Sequence, residues 1–455
     1  MAEKNVAVVV RIRPPTGASP VVVRKAENAV EAPGAKEMQR FDFDGVLPTA
    51  ASNVESFAVV SPLIEAALAG VNATVLAYGQ TGSGKTHTLG SSALAACTAV
   101  AAVGAPLPDS AGVIQRACAR LFERLAATQL RRGRTTLHVS FVEIYKRDMR
   151  DLLAAVVDGA APKACLIREG RGGTSTLVGV ERRPVASFED VMECLREGVE
   201  RRITGSTNMN ATSSRSHAAF IVYVAQQVPS AVDAADRAAA AAEAGNVTPL
   251  AAEALSTLAS KLTFVDLAGS ERLARTGAEG VRMAEGIAIN SGLSALKSVI
   301  SKLAAAQEDG AASAHVPYRN SKLTHLLKDA LGGNSRTLMF ACIACDEANC
   351  AETVDTLRYA REARRIKNAP TTNVSQSALQ RVEVQRRALV REVVALKYGC
   401  ASDDEVRMML GEARARAYIR SVCTRSGGAL PARDGAAATE QGERPSVGSR
   451  SGGFV

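Results

Sequence analysis

Along this chain, short unbroken apolar runs alternate with longer stretches in which apolar residues recur every three or four positions. The runs NVAVVVRI (5–12), ATVLAY (73–78), LHVSFVEIY (137–145), AAFIVYVA (218–225), KLTFVDL (261–267) and TLMFACI (337–343) predict strands, the first of them ended by Pro14 and Pro15. Helical spacing predicts helices over 53–69, 113–127, 187–202, 282–305, 321–331 and 351–367. Apolar strands alternating with amphipathic helices imply an α/β protein whose sheet is covered by helices on both faces.

Three stretches break this texture. Residues 228–258, which contain AADRAAAAAEA, read as an Ala-rich, helix-prone surface insertion between two strands. Leu379, Val382, Leu389, Val393 and Leu396 lie on a heptad seam that carries Arg386 and ends at Gly399. With fewer than three heptads, the segment 379–398 is either a lone helix or a marginal coiled coil able to support a weak homodimer. Residues 399–455 form a tail that from Ser426 is rich in Gly, Ser, Arg and Pro, and it is expected to be mostly disordered. The rest, 1–365, reads as one large domain, although 455 residues would on average suggest three.

Composition narrows the classes. Hydrophobic residues are 47% of the chain, which permits a sizeable core and excludes whole-chain disorder. The 55 Lys and Arg exceed the 46 Asp and Glu, a net charge of +9 that suits an acidic partner or reflects drift towards Ala and Arg. Nucleic acid lacks support: ten Phe, seven Tyr and no Trp offer no basic–aromatic interleaving. No segment reads as a signal sequence or membrane span, since 88–108 is mostly small residues with Pro106 and Pro108. Nine scattered cysteines indicate reduced thiols and a cytosolic setting. Cys342, Cys345 and Cys350 invite a zinc reading, but with no fourth Cys or His close by they are read as buried thiols.

The strongest local signal is GQTGSGKT (79–86), a full G-x4-G-K-[ST] match that follows a predicted strand and opens a helix. Gly79, Gln80, Thr81, Gly82, Ser83 and Gly84 would turn backbone N–H groups onto phosphate oxygens. Lys85 would reach the β- and γ-phosphates, and Thr86 would offer its hydroxyl to Mg²⁺. Asp266 ends the strand KLTFVDL and precedes a small loop, as suits a carboxylate holding Mg²⁺ through water, with the Gly269 N–H free to face the γ-phosphate. NATSSRSH (210–217) adds hydroxyls for metal and phosphate and a guanidinium for a carboxylate.

These motifs, together with RIRP (11–14), FVEIYKRDMRDLL (141–153), DLAGSER (266–272) and VPYRNSKLTHLLKDALGGNSRTLM (316–339), in this order and spacing, resemble a kinesin motor domain. The resemblance runs from residue 5 to about 370, and 275–300 with the ending RRIKNAPTTN is most similar to chromokinesin-type members. It implies the P-loop NTPase fold of that family, a central mixed sheet with a mostly parallel core and helices on both faces, with ATP or ADP and Mg²⁺ as ligands, microtubules as partner, and a cytoplasmic, cytoskeletal location. Arg11, Arg13 and Pro14 would line the adenine site, with His87 stacked on the base. NATSSRSH would be switch I, with Ser213 at the γ-phosphate and Ser214 at Mg²⁺, and DLAGSE switch II. Arg215 and Glu271 would form the salt bridge that positions the attacking water.

Microtubule contacts would fall at Arg168, Arg171, Arg319 and Lys322. The chain departs from the family here: His325 and Ser291 stand where basic residues are usual, and the loop 304–315 has Glu308 and Asp309 but no Lys. Microtubule affinity is therefore expected to be weak and salt-sensitive. Residues 366–378 would be the neck linker, with Asn373 latching its docked form. Thr371 and Thr372, in place of apolar residues, and only four residues ahead of the first strand are expected to weaken docking. A linker after an N-terminal motor implies plus-end-directed movement; no cargo domain is recognisable. The leading reading is an ATP-driven microtubule motor. The alternative, favoured by the contact and linker departures, is a microtubule-binding scaffold of the same fold with little motility.

Overall fold

The computed structural model describes residues 4–34, 37–90, 106–127, 135–155, 164–170, 174–207, 213–229, 255–271, 281–308 and 315–375. Arg171, residues 230–254 of the Ala-rich segment, the heptad stretch 379–398 and the tail 399–455 lie outside them. In chain order the strands are β1 (Lys4–Asn5), β2 (Ala7–Arg13), β3 (Val22–Arg24), β4 (Ala29–Pro33), β5 (Met38–Asp42), β6 (Gly45–Leu47), β7 (Ala73–Tyr78), β8 (Thr135–Tyr145) and β9 (Asp148–Asp151). They continue with β10 (Leu166–Glu169), β11 (Ser175–Val178), β12 (Arg183–Val185), β13 (His217–Pro229), β14 (Leu255–Asp266), β15 (Arg336–Ala344), β16 (Lys367–Asn368) and β17 (Val374–Ser375). The helices are α1 (Asn53–Leu68), α2 (Lys85–Leu89), α3 (Val113–Ala127), α4 (Phe188–Thr207), α5 (Val281–Glu308), α6 (Lys322–Leu326) and α7 (Cys350–Arg364).

The main sheet runs β12-β8-β13-β14-β7-β15-β2-β6. From β14 to β6 neighbours are parallel, and from β12 to β14 antiparallel. This is the expected mixed sheet with a parallel core. Strands β7 and β15, paired on both edges and covered on both faces, are buried at nearly every position, which is why their sequences are continuous apolar runs. Their side chains divide by alternation: Leu338, Phe340 and Cys342 join one core with Val60, Ile64 and Leu121 of α1 and α3. Met339, Ala341 and Ile343 join the other core with Leu296, Val299 and Leu357 of α5 and α7. Helix α1 begins where it does because Ser52 and Glu55 form a capping box, the Ser52 hydroxyl accepting from Glu55 N–H at 3.3 Å and the Glu55 carboxylate from Ser52 N–H at 2.8 Å.

Two sequence expectations are corrected. The Ala-rich insertion is shorter than 228–258, because β13 and β14 stay in register out to Pro229↔Leu255. Ser, Thr and Leu at 255–258 continue the ladder rather than a helix. The helix predicted over 321–331 holds only Lys322–Leu326. Beyond it the chain turns, and Asp329 reaches across to accept from Ser175 N–H at 3.0 Å.

Candidate functional site

The P-loop leaves the C-terminal end of β7, between its parallel neighbours β14 and β15. Gly79 takes φ +147°, and a Cβ there would sit 2.1 Å from the Cys342 carbonyl oxygen of β15, so no side chain fits the turn. A cavity of about 630 Å³ opens here. It is lined by Arg13, Pro14 and His87, by the P-loop residues Thr81–Thr86, and by Ser214 and Asp266. Motifs far apart in sequence thus meet at one site because β2, β7 and β14 all end at the same edge of the sheet.

Inside it, Lys85 is buried and its ammonium donates to the carbonyls of Gly79 (2.7 Å) and Gln80 (2.9 Å). Burial lowers its pKa, with the Asp266 carboxylate opposing that shift. The Thr86 hydroxyl donates to Asp266 Oδ2 at 3.1 Å, and the same oxygen lies 3.3 Å from the Arg202 guanidinium. Asp266 Oδ1 is buried and has no hydrogen-bond partner. Arg13 donates to the Gly82 carbonyl at 2.6 Å, tying β2 to the P-loop. Arg11 also borders the cavity, but its guanidinium turns inward onto Asn53 Oδ1 (2.6 Å) and the Thr88 hydroxyl (3.0 Å). It is therefore a strut beneath the site rather than a side chain extended into it. Burial lowers its pKa and that of His87.

The two switch motifs touch through main chain. Gly269 N–H, expected to face phosphate, donates to the Ser214 carbonyl at 2.9 Å, and Ser270 N–H donates to the Gly79 carbonyl at 3.2 Å. Glu271, expected to pair with Arg215, instead takes the Thr81 N–H (2.8 Å) and hydroxyl (2.6 Å) on its two carboxylate oxygens. Both differences follow from how 266–271 packs against Ser214 and the P-loop, which gives the Gly269 N–H and the Glu271 carboxylate partners within the chain. Ser213 and Arg215 belong to one 3-10 turn, and the Ser213 side chain lies outside the described residues.

Sequence reasoning gave no role to three groups that hold this arrangement. Arg202 of α4 is buried; it donates to the Ser216 hydroxyl (3.1 Å) and carbonyl (2.9 Å) as well as reaching Asp266. His217 accepts the Ala268 N–H on Nδ1 at 3.0 Å, which fixes the tautomer with the proton on Nε2. Burial pushes its pKa down to about 3, with Arg202 and Lys85 adding to the effect. Asn53 supports Arg11. An arginine on the apolar face of α4 was the available signal.

The proposed track contacts lie on another face. Arg168 is exposed on β10, Arg319 precedes α6 and Lys322 opens it. Arg319 pairs with Glu169 at 3.2 Å, Lys328 with the same carboxylate at 3.1 Å, and Lys322 lies 3.9 Å from Asp148. These cations hold Glu169 below the usual carboxylate range, Lys328 most strongly. Residues 367–375 lie docked along the body. Strand β16 pairs with β1, Thr372 bridges Val71, and β17 pairs with β14. Asn373 binds the Gly70 carbonyl through both its N–H (2.8 Å) and its amide Nδ2 (2.9 Å). Thr371 and Thr372 do not prevent this, because main-chain and amide bonds hold the segment where apolar side chains were expected to.

A strand–P-loop–helix unit, a strand-end carboxylate beside the P-loop hydroxyl and a mixed sheet with helices on both faces define a P-loop nucleotide-binding protein. Residues 4–366 match the family model for the kinesin motor domain, and the chain belongs to the kinesin family. It is 40% identical to Kinesin-like protein KIN-4B of Arabidopsis thaliana over 77% of this chain and 32% of that protein. It is 42% identical to Kinesin-like protein klp-12 of Caenorhabditis elegans over 75% of this chain and 20% of the relative. The chain thus spans about a third or less of the length of these curated relatives. Among solved structures, a fast kinesin analysed for ATPase mechanism and microtubule interactions matches with TM-score 0.64 and 32% identity, over 82% of this chain and 95% of that one. A KIF14 dimer with AMP-PNP on a microtubule matches with TM-score 0.66 and 31% identity, over 82% and 97%.

Proposed function

We propose that this chain is the ATP-hydrolysing, microtubule-binding motor part of a kinesin, acting in the cytoplasm on the cytoskeleton and moving towards plus ends. The observation that carries the reading is the cavity in which Lys85 and Thr86 of the P-loop meet Ser214 and Asp266 from two separate motifs. In it, the P-loop N–H groups and Lys85 would hold the β- and γ-phosphates, and Arg13, Pro14 and His87 the adenine. Lys85 would exchange the Gly79 and Gln80 carbonyls for phosphate oxygens.

The donor set fits Mg²⁺. The Thr86 hydroxyl adjoins Asp266, whose Oδ1 is buried and unpartnered, and Ser214 lines the same cavity. Thr86, Ser214 and Asp266 would hold the ion, which would offset charge on the phosphates. Turnover would then rest on positioning. Arg215 and Glu271 would close on each other once Glu271 leaves Thr81, with Ser213 and the freed Gly269 N–H turning to the γ-phosphate.

Track contact through Arg168, Arg171, Arg319 and Lys322 would require Arg319 and Lys322 to exchange ion pairs within the chain for pairs with an acidic surface. That exchange supports weak, salt-screened binding. The test is steady-state ATPase with and without polymerised microtubules at low and moderate salt. Strong stimulation that fades with salt is expected. ATP binding and co-sedimentation without stimulation would replace the motor by a scaffold, and tight binding at physiological salt would overturn the electrostatic account.

A further inference from the structure

The docked segment and the hairpin β10–β11 sit at two ends of one polar relay, buried at Asn72, Ser175 and Asp329 and half-buried at Lys261, Asn334 and Asn373. Asn373 Oδ1 accepts from Asn334 Nδ2 at 2.8 Å, and Asn334 Oδ1 accepts the Thr371 N–H at 2.6 Å. The Asn334 carbonyl in turn accepts from Asn72 Nδ2 at 3.1 Å. Asn72, 5% exposed, takes the Lys261 N–H of β14 on its Oδ1 at 3.1 Å. The Lys261 ammonium then pairs with Asp329 and donates to the Ser175 carbonyl at 2.7 Å, while Asp329 Oδ1 accepts the Ser175 N–H. Ser175 lies directly opposite Glu169 in the hairpin, and Glu169 is where Arg319 and Lys328 converge. A cavity of about 220 Å³ is lined by Asn72, Ser175, Lys261, Asp329 and Asn373 together.

We propose that Lys261 and Asp329 are positioning residues that couple the track-facing hairpin to the docked 371–375 segment through Asn72 and Asn334. The inference rests on the proposed microtubule contact of that hairpin. Its physical basis is burial. Asp329 is 6% exposed and Asn72 5%, so neither can trade a lost partner for water, and displacement at one end costs hydrogen bonds at the other. Such coupling needs a two-state element, and the segment would be one if it can pass from the docked arrangement, with Asn373 engaged, to a released one. This route runs on the hairpin side of β14 and does not pass through the nucleotide.

A double-mutant cycle on the full chain tests it, reading ATPase rate against microtubule concentration. One arm is Lys261→Met with Asp329→Leu, a pair that leaves no lone buried charge. The other arm is Asn373→Ala, and the third variant combines them. The Lys261/Asp329 arm should raise the half-saturating microtubule concentration about fivefold, which is about 1 kcal/mol. With Asn373 already replaced, the same change should have less than about a twofold effect, and the rate without microtubules should stay within about twofold throughout. If that arm does not fold, Asp329→Asn, which keeps an acceptor for Ser175 N–H, runs the same cycle. Equal effects in both backgrounds would overturn the coupling, as would a fall in the unstimulated rate with half-saturation unchanged. A wild-type chain not stimulated by microtubules would overturn the motor reading itself, and the inference with it.

Discussion

The nucleotide cavity and the face bearing Arg168, Arg319 and Lys322 are both polar, but their polar groups are in opposite conditions. Around the P-loop, Gln80 Oε1, Ser83 Oγ and Asp266 Oδ1 are buried without a partner. A buried unsatisfied polar atom is costly, and Ser83 and Asp266 line the cavity, so the site suits a ligand that will satisfy them. On the other face His325 Nε2 is also buried without a hydrogen-bond partner, but Glu169 engages Arg319 and Lys328, and Lys322 has Asp148 nearby. There, binding must replace contacts that already exist, and only the difference counts as affinity. The cavity should therefore respond to mutation in large steps, and the exposed face in small, salt-dependent ones.

The sharpest test of this contrast lies in the switch pair. Arg215→Ala and Glu271→Ala should each leave ATP binding within a few-fold of wild type and lower turnover by about a hundredfold or more, the usual scale for losing a group that acts at the transition state. Equilibrium binding of a fluorescent nucleotide beside single-turnover hydrolysis separates the two effects. Loss of binding in both variants would place these residues in the pocket floor instead. Lys85→Ala should do the reverse and lose nucleotide binding itself, because its ammonium sits where the phosphates would come.

A smaller effect of less obvious sign is expected at the exposed face. Glu169→Gln removes an acid from the surface proposed to meet an acidic partner and releases two cations at once. Microtubule affinity should rise about two- to fivefold at low salt and return towards wild type as salt is added. Co-sedimentation at two ionic strengths measures this. A fall in affinity at low salt would mean that Glu169 serves the face by holding Arg319 and Lys328 in place, and would erase the distinction drawn above.

The two regions also differ in how far they were legible in sequence. The P-loop, Asp266 and NATSSRSH could be read because their chemistry is local: glycines, hydroxyls and a carboxylate at fixed spacing beside recognisable strands. The central strands could be read because burial on both faces leaves an uninterrupted apolar run. Arg202 and Asn72 were not, since each acts on partners far away in the chain; the place of Arg202 on the apolar face of α4 was a hint of burial but named no partner. The contacts that hold 371–375 were not legible for a related reason. Thr371 and Thr372 look like lost apolar contacts, whereas Asn334, from a separate loop, supplies the hydrogen bonds. The length of β14 was missed because Leu255–Leu258 lacks the β-branched density of KLTFVD, yet pairing with β13 carries it through.

The smallest effect concerns stability and tests the buried side of the comparison directly. His217 is neutral in the folded protein, with a pKa pushed down to about 3, while in the unfolded chain it should titrate near 6.5. A depressed folded pKa means that its contribution is fully present above about pH 6.5. It is lost progressively as pH falls towards 3, because the unfolded state takes up a proton that the folded state refuses. Between pH 7.5 and 6 the loss should be about 0.8 kcal/mol from this residue. Urea melts at the two pH values measure it in wild type and in His217→Gln, whose amide oxygen can still accept the Ala268 N–H but does not titrate. Burial also lowers the pKa of His87 and His325, so the wild-type slope alone is a composite and the difference between the proteins isolates His217. Equal slopes would mean that the ring is protonated, or hydrated, in the folded state, and the contact between the two switch motifs would then be looser than the 3.0 Å bond to Ala268 implies.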